Sequence, residues 1–209
     1  MDVDGNTQPV STLTRSQAAR RERVIRAALE LAAEGGYDVV QMRDVSTRAE
    51  VALGTIYRYF PSKDALLLAV MVQWLGDLEQ RVMRRPPAGD TTVERIMDVL
   101  GRALRSMDRE PKLTAAVIAA MTAGERESGV AAIGEVTSTM ARIMRSAFPP
   151  DVDATVEASA AKLLGHVWWS ATIAWANGMG DIDWVAAELR EAAELIASAS
   201  WNLRRLGPS

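Results

Sequence analysis

Between Ser16 and Arg84 the apolar residues recur at helical spacing in four runs, and two of those runs are only seven or eight residues long. Val24, Ile25, Ala28, Leu31 and Ala32 share one face of the first run. Gly35-Gly36 closes it, because glycine accepts the left-handed conformation just past a helix. Met42, Val45 and Ala49 line the second run, Met42–Ala49, and Gly54–Phe60 forms the third. Pro61-Ser62 stops that helix, and Ser62 suits the N-cap of a long fourth helix carrying Leu66, Leu67, Val70, Trp74, Leu75 and Leu78 to about Arg84.

Pro86-Pro87-Ala88-Gly89-Asp90 reads as a linker. Beyond it the same period predicts helices near 92–109, 112–123, 129–147, 153–178 and 182–206. No alternating strand pattern occurs, so the predicted fold is all-α with about nine helices. Residues 1–14 are expected to form a disordered tail, 15–61 a small N-terminal helical domain, and 62–209 a larger helical domain.

Composition narrows the chemistry. The chain has no cysteine and a single histidine, His166, which excludes disulfides and Cys-based metal sites and argues against His-based catalysis. Neither a P-loop nor a G-x-G-x-x-G motif is present. No cofactor, metal or catalytic site is expected. No run of eighteen apolar residues exists, and the start MDVDGNTQPV has no signal-peptide pattern, so a soluble, cytoplasmic protein without a membrane partner is expected. Net charge is −3, yet residues 11–63 hold nine Arg and Lys against six Asp and Glu. A cationic end on an acidic chain suits docking on a phosphate backbone.

A helix-turn-helix needs two short helices crossing steeply over a small residue, with apolar residues locking both. Ala49, with Val45, Val51 and Ile56, meets that requirement. The second helix must then offer its first side chains to the major groove of double-stranded DNA, while nearby donors grip phosphates. Gly54 lets a backbone approach closely, Tyr57, Tyr59 and Lys63 can donate to phosphates, and Thr55 and Arg58 suit base edges. Tyr57 and Tyr59 stand two apart and cannot share a face, so at least one is exposed. Tyr37, Ile56 and Phe60 read as core. Arg43 and Arg48 are either DNA contacts or solvated charges. Arg15, Arg20, Arg21 and Arg23 are either a minor-groove arm or a solvated face.

The residues Gly36-Tyr37, Met42-Arg43-Asp44-Val45 and Val51-Ala52-Leu53-Gly54-Thr55-Ile56-Tyr57-Arg58-Tyr59-Phe60-Pro61-Ser62-Lys63 together resemble the DNA-binding signature of the TetR family. Within the family they are most similar to actinobacterial repressors of sterol catabolism. The resemblance implies a homodimer on a palindromic operator, controlled by a small hydrophobic effector. The acyl-CoA thioester of a sterol or lipid catabolite is the candidate. Gln41 stands where the family usually has Thr or Ser, as a helix cap and phosphate contact, and Ser46 where it has Ala.

In the C-terminal half, Met107, Met121, Met140, Met144, Trp168, Trp169 and Trp175, with His166 beside them in sequence, are candidate pocket residues or plain core. Arg102, Arg105, Arg109, Lys112, Arg142 and Arg145 are the cations available to coenzyme phosphates, or solvated helix faces. Val185, Leu189, Ala192, Ile196, Ala199 and Leu203 form an a/d-type seam that suits a dimer contact or packing within one subunit, and Leu163, Leu164, Val167, Ala171 and Ala174 are placed to face it. Two other readings are a regulator of efflux or drug response, and a small-molecule carrier or enzyme that keeps the helix-turn-helix as scaffold.

Overall fold

In the computed structural model, residues 14–123, 126–150 and 152–206 are described, without the side chains of 126–133 and 199–206. The predicted tail, residues 1–14, lies outside them except for Thr14. That residue caps the first helix: its hydroxyl accepts from the Gln17 amide, and the Gln17 side chain returns the bond to Thr14 N–H at 2.7 Å.

Nine helices run through the described residues: α1 Arg15–Gly35, α2 Met42–Ala49, α3 Leu53–Tyr59, α4 Lys63–Arg84, α5 Thr92–Arg109, α6 Pro111–Ala123, α7 Arg126–Arg145, α8 Ala154–Ala176 and α9 Ile182–Leu206. The punctuation acts as expected. Gly36 ends α1 at φ 77°, a conformation only glycine takes without strain, and the Ser62 hydroxyl accepts from Ala65 N–H at the start of α4. No helix among the described residues is long and apolar enough to cross a membrane.

The helices divide into two compact units, and the boundary falls inside α4, between Gln73 and Trp74. One unit holds α1, α2, α3, the first half of α4, and α6. Its core joins Val24, Ala28, Leu31, Val45, Ile56 and Leu66 to Leu113, Ala116, Val117 and Ala120 of α6. The α6 residues follow the i, i+3, i+4, i+7 pattern, so one stripe of that helix is spent on α1. Each large aliphatic side chain buried here contributes about 1.5–3 kcal/mol. Lys112, at the start of α6, donates to the Glu34 carbonyl at 2.9 Å and so caps α1, whose last turn has no basic residue of its own.

The other unit holds the second half of α4 with α5, α8, α9 and α7 from Gly134 onward. Here α9 packs on both α5 and α8. Pro86–Asp90, expected to be a linker, is a pinned corner. Arg102 donates to the Arg85 carbonyl at 2.6 Å and pairs with Asp98, whose carboxylate also accepts from Ala88 N–H at 3.0 Å.

The turn between α2 and α3 stores strain. Glu50 sits in the left-handed region at φ 53° and ψ 44°, the one non-glycine residue described with positive φ. Ser46 brackets it: its hydroxyl donates to the Val51 carbonyl at 2.7 Å, and Val51 N–H donates to the Ser46 carbonyl at 3.2 Å. The hydroxyl thereby gives the Ala-to-Ser departure a structural role. Because a side chain in this region costs about 1–2 kcal/mol and glycine offsets part of that gain through chain entropy, Glu50→Gly should stabilise the protein by roughly 1 kcal/mol. Calorimetry should record a Tm rise of about 2–4 °C.

Candidate nucleic-acid interface

The short helix α3 is held by the residues expected to be core. Ile56 is fully buried and Phe60 nearly so, at 0% and 3% exposure. The Arg21 guanidinium lies over the Phe60 ring, 5.1 Å from its centroid, and Arg23 donates to the Ala49 carbonyl at 3.2 Å. Arg20 bonds Ser16 on its own helix. These arginines are therefore helical residues that brace α1, or fasten it to its neighbours, and Arg15 is already the first residue of α1. None of them forms the proposed arm.

With that scaffold fixed, α3 turns Gly54, Tyr57 and Arg58 outward; Thr55 is partly buried. A Cβ built on Gly54 meets nothing within 4 Å, so nothing inside the protein asks for glycine there. Ala52 occupies the N-cap without a side-chain bond to the first turn. Tyr57 is 48% exposed. Tyr59 differs: its hydroxyl is buried with no partner among the described residues, its ring packs on the core cluster, and the Arg58 guanidinium lies 5.8 Å from that ring. The expected Tyr59–phosphate contact does not hold in this conformation, because the two-residue offset puts one tyrosine in and one out.

On α2, Arg43 is exposed. Gln41 is an N-cap without a side-chain cap bond; its amide donates instead to the Asp38 carbonyl at 2.9 Å. Arg48, expected on DNA or in solvent, holds Glu34 of α1 in a two-pronged pair at 2.7 and 3.1 Å. That hydrogen bond holds the Glu34 carboxyl below its usual range. Lys63 is partly buried: its ammonium lies 3.6 Å from the Tyr37 ring centroid and donates to the Tyr37 carbonyl at 3.2 Å. The Tyr37 hydroxyl in turn donates to Asp64 Oδ1 at 2.6 Å, and that bond is the chief reason its pKa is pushed up to about 12. Sequence spacing gave no sign of this group, since Tyr37 and Lys63 are 26 residues apart.

The candidate effector residues scatter. Met107, Met144 and Trp168 are buried in the second unit, and Met140, Trp169 and Trp175 are partly buried there. Met121 belongs to the first unit, packed on the core around α1. His166 is exposed, because two helical positions separate it from buried Leu164 and turn it to the opposite side of α8. Among the candidate phosphate cations, Arg102 and Lys112 are tied as described above. Arg142 grips Glu79 at 2.6 and 3.1 Å, and Arg145 holds Glu157 at 3.0 Å. Arg105 and Arg109 are exposed.

Of the two readings of the α9 seam, packing within one subunit holds for Val185 and Leu189, while Ala192 and Ile196 are partly buried. Val185 and Leu189 are 0% exposed within the single chain, and Leu164 and Ala171 are buried as well. The first two turns of the stripe thus close the protomer's own core. Ala199 and Leu203 lie outside the described side chains. Among the described side chains, the large apolar residues left outward on these two helices are Leu163 of α8 at 52%, and Trp184 and Leu195 of α9 at 37% and 63%.

Residues 24–70 match the family model "Bacterial regulatory proteins, tetR family", and residues 89–196 match "Tetracyclin repressor-like, C-terminal domain". The "HTH-type transcriptional repressor KstR" of Rhodococcus jostii is 34% identical over 181 residues, which span 87% of this chain and 84% of that protein. A TetR transcriptional regulator from Rhodococcus sp. RHA1 superposes with a TM-score of 0.79 at 32% identity, over 87% of this chain and 97% of the other. Thermus thermophilus FadR, solved in complex with lauroyl-CoA, shares the fold at a TM-score of 0.66 and 23% identity, over 85% and 93% of the two chains.

Proposed function

The chain belongs to the tetR family of bacterial regulatory proteins, and we propose that this KstR-like repressor binds a near-palindromic operator as a homodimer under the control of a bulky hydrophobic effector. It is a regulator and not an enzyme. Two copies of α3 enter successive major-groove faces of the operator, with half-sites about 34 Å or more apart. Thr55 and Arg58 address base edges, and Tyr57, Arg43 and the backbone at Gly54 approach phosphates.

The observation that carries this reading is Gly54. An exposed helical glycine with nothing near its missing Cβ is unfavourable for the isolated fold, and in the first turn of the reading helix it leaves the backbone bare for a phosphate to approach. The effector acts through the second unit. An acyl-CoA thioester of a sterol or lipid catabolite is the favoured class, on the likeness to KstR. α4 belongs to both units and is the lever: effector binding shifts the population towards a dimer whose readers are wrongly spaced. Dimerisation is assigned to the faces of α8 and α9 that carry Leu163 and Leu195.

The test is fluorescence anisotropy on the DNA upstream of the protein's own gene, against a shuffled duplex, with and without lauroyl-CoA or a steroid acyl-CoA. Wild type should prefer its own DNA and lose that preference with an acyl-CoA. Arg58→Ala should cost about 1–3 kcal/mol on the preferred sequence and little on the shuffled one. Equal weakening on both would reassign Arg58 to a phosphate, and no binding to either duplex would sink the reading.

A further inference from the structure

Lys63 and Asp64 stand side by side at the start of α4, and both are bound by one side chain from the α1–α2 connection. The Tyr37 hydroxyl holds Asp64 Oδ1 at 2.6 Å, while its ring face and its own carbonyl hold the Lys63 ammonium at 3.6 and 3.2 Å. Neither contact is a salt bridge. A lysine on a flexible four-carbon stem ordinarily samples any carboxylate within reach, and the nearest in sequence is Asp64. Here that carboxylate already accepts a short bond, and the ammonium rests on an aromatic face. An ammonium carries three N–H donors, and the Tyr37 carbonyl takes one.

We propose that Tyr37 is a positioning residue for DNA binding: it seats the Lys63 ammonium and keeps the Asp64 carboxylate from it, so that the remaining donors of Lys63 meet a backbone phosphate. The inference rests on the reading of α3 and the start of α4 as the nucleic-acid face. The three residues thus have separate roles. Lys63 makes the contact, Asp64 is the competitor, and Tyr37 keeps them apart. Without the hydroxyl, Asp64 turns to the ammonium, and a lysine so paired releases no counterion on DNA.

The experiment measures affinity of the full-length protein for a mixed-sequence duplex of about 30 base pairs against sodium chloride concentration, because each lost phosphate contact lowers the log–log slope by about 0.9. Tyr37→Phe keeps the ring and removes only the hydroxyl. It should lower the slope by about one contact per reading unit and weaken low-salt binding severalfold. Lys63→Ala should lower the slope equally, and Tyr37→Phe added to it should change nothing further. Tyr37→Phe with Asp64→Asn, which removes the competing charge, should restore the slope. A merely structural tyrosine would lower affinity at unchanged slope, with a lowered Tm and no rescue by Asp64→Asn. That result overturns the proposal, as does a Tyr37→Phe slope equal to wild type. If Lys63→Ala shifts the slope and Tyr37→Phe does not, only the positioning role fails. A wild type that binds no DNA removes both readings.

Discussion

Leu195→Glu combined with Leu163→Glu should yield a monomer whose fold is intact and whose affinity for a two-half-site operator is reduced by about 10²–10⁴-fold. The size follows from bivalency. Once one reader is bound, the second faces its half-site at high effective concentration, and that gain disappears when the protomers separate. Both side chains are more than half exposed in the single chain, at 52% and 63%, so a charge there costs the protomer little. Across a two-fold contact the same charge is buried without a partner and meets its own copy. Light scattering reads the mass, circular dichroism the fold, and anisotropy the affinity. Leu189→Ala is the contrasting control. That residue is 0% exposed, so its truncation should cost about 2–5 kcal/mol of stability whatever the oligomeric state. A double variant that stays dimeric would move the interface off these faces.

Gly54→Ala should separate folding from function in opposite directions. Alanine is a better helix former than glycine by about 0.8–1 kcal/mol, and its Cβ has open space at this position. The variant should therefore melt at or above the wild-type temperature. Its DNA affinity should fall by roughly tenfold or more, because a methyl group on the exposed first turn of α3 holds the phosphate away from the backbone. An affinity equal to wild type would leave the glycine without the role proposed for it.

The two variants bear on features of different legibility. Gly54 was visible in sequence because its neighbourhood is local: α2, the turn and α3 lie within eighteen residues, Met42–Tyr59, and glycine, proline and the apolar period mark their ends. Helix positions throughout the chain were legible for the same reason. Leu189 was not, since an a/d stripe on α9 is equally apolar whether it meets a second copy or α5 and α8 of its own chain. Tyr59 lay between these cases. Period showed that it and Tyr57 face apart, but only packing decided which one turned inward. Residue type suits Lys63 to a phosphate and leaves Arg48 between DNA and solvent, and their partners, Tyr37 and Glu34, come from distant turns of the chain.

By itself, then, the amino-acid sequence determined the helices found among the described residues, the helix-turn-helix and the outward placement of Gly54 and Arg58, all of which depend on chemistry within a few residues. Only the tertiary structure decided that α6 joins the core of the reading unit, that Val185 and Leu189 close the protomer, and that Tyr37 holds Lys63 and Asp64. The reason is that burial and hydrogen bonding between elements are pairwise. A helix's pattern states that it has an apolar face or a free donor, and the partner that fills it is set by the other helices.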